Sequence, residues 1–407
     1  MINGQERVPG RRGIGCAGCY RIAVVTSLHS DFNARVWKHA QLLAKMGHSV
    51  TLVCPWAVAH GEEREGVKFV PFPPATRRSQ RMKTHLRLLR LLVPLLPDLD
   101  IIHFHDLDML PWMTILSLFK NVVYDVHENY PAEMLTKTWI PKTLRRSISS
   151  AVRWGQLMCC NILRNVVLVA KSQEKDIYGP RLRKIYIMNY ASVKLLDKVT
   201  HDYSSRAAAV IFTGSQYVDN GSHLYLEIVA RIHEQRKDVT FFAFETFFGN
   251  EPLRQQLIDK VKNRGLDGVY KLLPSVKPHQ LMFCLNKATI GVAPDLRVTR
   301  RIHAVSQRLF EFMAAGLPIV ASDLPYQVEV VCGNNAGLLA KPEEPETFVR
   351  AILTLLDNRE LAKRLGENGR KAFLEKYTWE SQEEAFGDYY RSIMKPAGQS
   401  KRRGVRH

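Results

Sequence analysis

No stretch of this 407-residue chain approaches the ~18 consecutive apolar residues of a membrane-spanning helix, so none is expected. Met1–Cys19 is rich in Gly and Arg and has no apolar core, which argues against a secretory signal. Residues 1–19 read as a disordered leader and 397–407 as a basic disordered tail, and the expected compartment is the cytoplasm. Cysteine is scarce and odd in number, seven in all, which argues against a disulfide framework. Cys16 and Cys19 form a lone CxxC with no second pair to complete a zinc site. The spacings HxxxH and HExxH are missing although His29, His103, His105 and Asp106 fall on neighbouring strand ends. Asp-x-Asp occurs only at Asp98/Asp100 and Asp106/Asp108, and the latter reads as loop chemistry. No metal and no cofactor is expected.

Acid is also in deficit. Only 39 Asp+Glu oppose 58 Lys+Arg, a formal charge of +19, and residues 1–200 hold 29 of the basic groups against 15 acidic ones. Such asymmetry fits a surface that faces phosphates, or else a solvated basic face with no partner. The chain carries no RNP, helix-turn-helix or zinc-finger pattern, so no nucleic-acid partner is expected. What is present is a repeated alternation of short β-type runs with helical stretches. The first series has strands at Tyr20–Ser27, Val50–Cys54, Val67–Val70, Ile101–His105, Val122–Val126 and Val166–Val169. A polar linker near Ala191–Arg206 follows, and the pattern restarts at Ala209–Phe212, with a helix near Gln307–Ala315 and a strand at Pro318–Ala321. Two successive doubly wound α/β domains place a ligand cleft at the carboxyl ends of their strands.

Four blocks carry a resemblance. They are Ser27–Arg35 (SLHSDFNAR, followed by GHSV at 47–50), Asp100–Pro111 (DIIHFHDLDMLP), Tyr124–Pro131 (YDVHENYP) and Phe310–Asp323 (FEFMAAGLPIVASD). In this order they resemble the family 4 glycosyltransferases, retaining enzymes of bacterial group 1 type with the GT-B fold. The resemblance implies two Rossmann-like domains facing across a cleft. The acceptor-side domain spans 20–195, with a C-terminal helix at 380–396 crossing back to it after Tyr377-Thr378-Trp379. The nucleotide-sugar domain spans 205–379.

The resemblance also assigns residues. Glu311 matches the second glutamate of an E-x7-E motif that holds the donor ribose; a carboxylate can accept two hydrogen bonds from vicinal hydroxyls. The first glutamate falls at His303, so contact with the transferred sugar is left unexplained. Arg308, Ser306 and Gln307 lie at the start of the donor helix, where a cation and helix amides suit a diphosphate. Gly214 and Ser215 belong to the first loop of the same domain. Asn220 stands there where the family usually carries a basic residue, and Arg297, Arg300 or Arg301 is expected to replace that charge. On the other side, His127 and Glu128 are the catalytic candidates, while His29, Arg35, His105 and Asp106 are expected near the acceptor.

Arg77–Leu96 mixes arginines with leucines at helical spacing, and Ile140–Met158 is a second basic, Trp-bearing stretch. Either is a packing helix with a basic face or a helix lying on anionic lipid. The expected activity is metal-independent sugar transfer from a nucleotide donor to a lipid-linked or polysaccharide acceptor of the cell surface. Lipopolysaccharide synthesis at the inner face of the plasma membrane is one setting. The alternative is a non-catalytic GT-B nucleotide-sugar-binding or scaffold protein.

Overall fold

Runs such as Arg21–Val25 (RIAVV) and Ile319–Ser322 (IVAS) are apolar on both faces, and a strand of that kind needs cover on both sides. The chain meets this need twice. A computed structural model describes residues 19–29, 34–55, 61–75, 80–137, 139–194, 203, 206–247, 251–276, 280–302 and 305–394. The expected leader up to residue 18, the tail from 397 and His303 lie outside the described residues.

Eight strands form the first sheet: β1 (Arg21–Val25), β2 (Ser49–Pro55), β3 (Glu63–Arg64), β4 (Val67–Phe72), β5 (Ile101–Phe104), β6 (Asn121–Val126), β7 (Asn165–Leu168) and β8 (Arg183–Tyr186). Their order is β3-β4-β2-β1-β5-β6-β7-β8, parallel except for the β3–β4 pair. Six more form a parallel sheet: β9 (Ala209–Phe212), β10 (Thr240–Phe244), β11 (Tyr270–Leu273), β12 (Ile290–Ala293), β13 (Ile319–Ser322) and β14 (Gly337–Ala340), in the order β11-β10-β9-β12-β13-β14. In each sheet the chain winds outward from the first strand and then reverses to its other side, at β1/β5 and at β9/β12. Both reversals leave a crevice at carboxyl strand ends. This is the doubly wound α/β pair of the GT-B arrangement.

The first sheet is covered by two different layers. On one face the helices Arg81–Leu92, Leu110–Leu116 and Arg145–Leu163 contribute Leu88, Leu92, Met113, Cys160 and Leu163 to a core shared with Phe104 and Tyr124. The expected helix over 77–96 is shorter: it runs Arg81–Leu92 and tightens into a 3-10 turn over Val93–Asp98, with Pro94 in that turn's first positions, where its missing amide costs least. Arg77 and Arg78 lie outside the described residues. On the opposite face, the helix Ala34–Lys45 packs beside the helix Glu383–Met394.

That last helix comes from the far end of the chain. After the helix Arg359–Lys376, Thr378 bridges Ala191 in parallel, and the Trp379 amide donates to the Ala191 carbonyl at 2.8 Å. Phe386, Tyr389, Tyr390 and Ile393 then bury themselves against Ile22, Val24, Ile101 and Val123. The chain therefore crosses between the sheets twice, and its last helix completes the first core. Phe386→Ala removes a ring that is 0% exposed there. It is expected to cost about 3–5 kcal/mol in a urea melt, against near zero for the exposed Leu374→Ala.

Candidate functional site

The site starts from one buried carboxylate. Asp125, near the end of β6, is 0% exposed and is gripped by Arg35 from the first turn of the helix Ala34–Lys45. Arg35 Nε donates to Asp125 Oδ2 at 2.9 Å and Nη2 donates to Oδ1 at 2.7 Å. Its Nη1 donates to the Ile187 carbonyl at 2.7 Å and to Asn189 Oδ1 at 2.9 Å. His39, one turn further along the same helix, brings Nδ1 to 3.2 Å from Asp125 Oδ2. The β5–β6 register pairs His103 with Val123 and Phe104 with Tyr124, which sets His105 beside Asp125. His105 Nδ1 lies 3.1 Å from Asp125 Oδ2, and His127 Nε2 lies 3.4 Å from it. Alternation along β6 puts Asp125 and His127 on one face.

Burial pushes His39, His103 and His105 below the ordinary histidine range, so their imidazoles are neutral at pH 7. For Asp125 burial alone would raise the carboxyl, but Arg35 and the surrounding imidazoles outweigh it and hold the group well below its usual range. His39, His103, His105 and Asp125 offer ligand atoms within 4.8 Å of one another, close enough to be weighed as a metal cage. The charges argue otherwise: Arg35 already neutralises the carboxylate, and a divalent ion beside it would leave two net positive charges in a fully buried pocket. The cluster fits better as an ion pair ringed by neutral imidazoles. The sequence reading grouped His103 and His105 with His29 and Asp106; the structure divides them between the interior and the cleft.

Only the outer edge of this cluster meets solvent. A cleft of about 670 Å³ opens between the domains, lined by His29, Lys38, His127, Glu128, Trp139 and Gln307 among others. His29 stacks on His127, with centroids 5.1 Å apart, and its Nε2 is 3.3 Å from Asp106 Oδ1. Asp106 accepts from Thr26 Oγ1 at 2.7 Å and from the Ser27 amide at 2.6 Å, fixing the loop after β1. His105 is a correction: it is 0% exposed behind His127 and cannot touch an acceptor. Arg35 also serves inward, spending its guanidinium on Asp125, Ile187 and Asn189.

Across the cleft, the helix Gln307–Ala314 begins with Ser306 at its N-cap, whose side chain makes no capping bond, while the Leu309 amide donates to the Ser306 carbonyl at 3.2 Å. Gln307 Nε2 donates to Glu311 Oε1 at 2.8 Å. Arg308, 7% exposed, donates Nη2 to Asp295 Oδ1 at 3.2 Å and lies over the Phe212 ring, while its Nη1 has no hydrogen-bond partner. Gly214 leaves room for it: a Cβ there would sit 2.7 Å from Arg308 Nη1. Asn220 is a second correction. It is 3% exposed, with its amide nitrogen 3.0 Å from the Ser215 carbonyl and 2.5 Å from Ser215 Oγ. Arg301 Nη2 donates to the Asn220 amide oxygen, so a cation does reach this loop, from a different element than the sequence position suggests. Arg297 instead donates Nη2 to the Asp323 carbonyl at 2.9 Å.

Residues 202–372 match the family described as glycosyl transferases group 1, and residues 33–179 match glycosyltransferase family 4. The chain belongs to the group 1, family 4 glycosyltransferases. It is 20% identical over 303 residues to glycogen synthase of Mycobacterium tuberculosis, covering 72% of this chain and 68% of the relative. Its fold is similar to sucrose-phosphate synthase from Thermosynechococcus elongatus, with a TM-score of 0.73 at 16% identity over 92% of this chain and 99% of that one. Anabaena HepE, solved with UDP and glucose, gives 0.69 at 13% identity over 92% and 100%.

In this glycosyltransferase the sequence reading passed over Lys38, Asp125, Trp379 and Asn189. Arg35, Lys38 and His39 share one helix face, and that periodicity was the available signal. Lys38 lines the cleft and donates to the Tyr190 carbonyl at 2.8 Å. Burial pushes its ammonium down to about 8, with Glu311 pulling the other way. Burial likewise raises Glu311, opposed by its Gln307 hydrogen bond and by Lys38 and Arg308. The folded protein therefore releases the Lys38 proton before the unfolded chain does, and this group's contribution to stability rises with pH from about 8 to its ordinary 10.5. An NMR titration of isotope-labelled lysines is expected to show one midpoint near 8, missing in Lys38→Gln. Its persistence in that variant would reject the assignment.

Proposed function

We propose that this glycosyltransferase moves a sugar, with retention, from a nucleotide-sugar donor to a lipid-linked or polysaccharide acceptor in cell-surface glycan synthesis. The observation that carries the donor side is Arg308: a guanidinium edge buried without a partner, beside Gly214 and an uncapped helix N-terminus. A buried cation left open in this way suits a diphosphate, and it would stabilise the charge that grows on a departing nucleotide. Glu311 then takes the ribose hydroxyls, with Gln307 holding one of its oxygens. Ser306, Gly214 and Ser215 shape the loop, and Arg301 acts through Asn220. HepE's complex with UDP and glucose makes a uridine nucleotide the first donor to try. His127 meets the transferred sugar, and Glu128, exposed beside it, faces the acceptor. No step of this reading requires a metal. The rival reading of a non-catalytic binder leaned on His303 and Asn220; Arg301 offsets the loss of charge at Asn220, and His303 lies outside the described residues.

Surface composition supports an acceptor held at a membrane. Of seventeen exposed large apolar side chains among the described residues, eleven lie between Met82 and Ile162, including Leu86, Phe119, Trp139, Trp154 and Met158. Most project from the three helices that cover one face of the first sheet; none of the three contains an acid, and Arg81–Leu92 and Arg145–Leu163 carry basic residues. Basic and apolar groups on one layer suit anionic lipid. Arg81 and Trp139 line the cleft as well, so a lipid-linked acceptor would enter from that side. Among the described residues no helix is long and apolar enough to cross a membrane, and the attachment proposed is a peripheral one.

Two experiments test this reading. Arg308→Ala is expected to weaken binding of a UDP-sugar by about tenfold to a hundredfold in calorimetry, the range of a charge-assisted hydrogen bond. Unchanged affinity would remove the central support. The protein is expected to sediment with vesicles containing phosphatidylserine at low salt and to be released by high salt. Leu86→Glu with Trp154→Glu should stay in the supernatant.

A further inference from the structure

His105 Nδ1 and His127 Nε2 are 2.8 Å apart, a full hydrogen bond. One proton lies between them, because two N–H groups or two lone pairs at that distance repel. Which ring owns the proton follows from the surroundings of His105. That side chain is 0% exposed, and its other nitrogen, Nε2, has no partner. A proton on Nε2 would be a buried donor with nothing to receive it, the costlier of the two ways to leave a nitrogen unpaired. Its Nδ1, by contrast, lies 3.1 Å from Asp125 Oδ2, an ionised carboxylate that can only accept. His127 Nε2 is further from that oxygen, at 3.4 Å, and His127 has no orphaned buried nitrogen to set the choice, so both sides of the His105 ring put its proton on Nδ1.

His127 Nε2 is then left as the acceptor, and a neutral His127 carries its own proton on Nδ1. That nitrogen has no hydrogen-bond partner among the described residues and is not among the buried unpaired atoms, and its ring lines the cleft. His29 stacks on one side of the ring, with an interplanar angle of 28°, and restrains it. Arg35 restrains the carboxylate behind it.

We infer that Asp125 and His105 are positioning residues that hold His127 in its Nδ1–H tautomer, so that His127 offers the cleft a hydrogen-bond donor rather than a base. Its partner is an oxygen with a free lone pair, a hydroxyl or ring oxygen of the transferred sugar. This rests on the placement of His127 at the sugar argued above, but the tautomer itself does not depend on turnover.

The test is long-range nitrogen–proton NMR on full-length protein labelled at histidine. His127 is expected to show a protonated Nδ1 and an unprotonated Nε2. His105→Asn keeps an N–H where Nδ1 stood, and should preserve both this pattern and transfer. His105→Leu removes it; the His127 signals should shift toward a mixture of tautomers and kcat should fall by about tenfold or more with donor KM little changed. A protonated Nε2 on His127 in the unsubstituted protein would overturn the inference, as would a stoichiometric metal ion in that protein, which would claim the His105 Nδ1 lone pair. A His105→Leu protein with the tautomer and rate intact would overturn the roles given to His105 and Asp125. Should that variant fail to fold, the unsubstituted spectrum decides alone. Because the spectrum is read without substrate, loss of the functional reading and loss of the tautomer are separate results.

Discussion

The ion pair between Arg35 and Asp125 is the constraint on which the first domain turns. Both groups are buried, and the carboxylate is expensive to bury unless its charge is matched in place. Arg35 supplies that match with a guanidinium fixed on three residues, Asp125, Ile187 and Asn189, so its helix cannot shift without breaking several hydrogen bonds at once. A negative centre held this rigidly orders what surrounds it. Three neutral imidazoles turn a nitrogen toward it, and the fourth, His127, is the one that reaches the cleft. Stability and site geometry are therefore set by the same contact.

The fold was largely legible in the sequence because parallel strands buried on both faces read as continuous apolar runs, and each run found in the chain became a strand. The places of Glu311 and His127, on a helix and at a strand end, were legible because each sits inside a block with a fixed local pattern, and that of Arg308 because it lies one helical turn before Glu311. The interior cluster was not. His39 lies 86 positions from Asp125 and only the β5–β6 register brings His105 beside that carboxylate. The resemblance therefore put His105 and Arg35 near the acceptor; both are buried, and of the two only Arg35 lines the cleft. At Asn220 the sequence left three arginines open as replacements for the missing charge, and only the fold shows that Arg301, from the helix Thr299–Ile302, is the one that reaches it.

The two sides of the cleft solve different electrostatic problems. The donor side keeps positive potential unspent, with an uncapped helix end and one unpaired edge of Arg308. Asp295 anchors that arginine from below, and Gln327 Nε2 donates to the same carboxylate at 2.6 Å, so the guanidinium is held while one face stays open. On the side of the first domain the central carboxylate, Asp125, is cancelled internally by Arg35, and what lines the cleft are the imidazoles of His29 and His127, an exposed Glu128, cations such as Lys38 and Arg81, and apolar groups such as Trp139. The overall charge of +19 thus has little to do with the inner site; much of the basic excess belongs to the outer helices.

The chain's last helix joins these parts. Tyr390, 0% exposed, shares a hydrogen bond with His103 Nδ1, and Phe386 packs against both His39 and His103. Trp379, at the crossing, stacks on His39 and lies under the Lys38 ammonium, while Lys38 in turn feels Glu311 on the donor helix. The imidazole cluster is thus closed from behind by a segment that arrives only after the second sheet is complete. A domain cut from the first half alone would lack that cover, leaving His39 and His103 open to water on one side. Water there would weaken the match between Arg35 and Asp125, because the pair's attraction depends on the low dielectric around it. The crossing helix is in this sense part of the site, although none of the residues within it line the cleft.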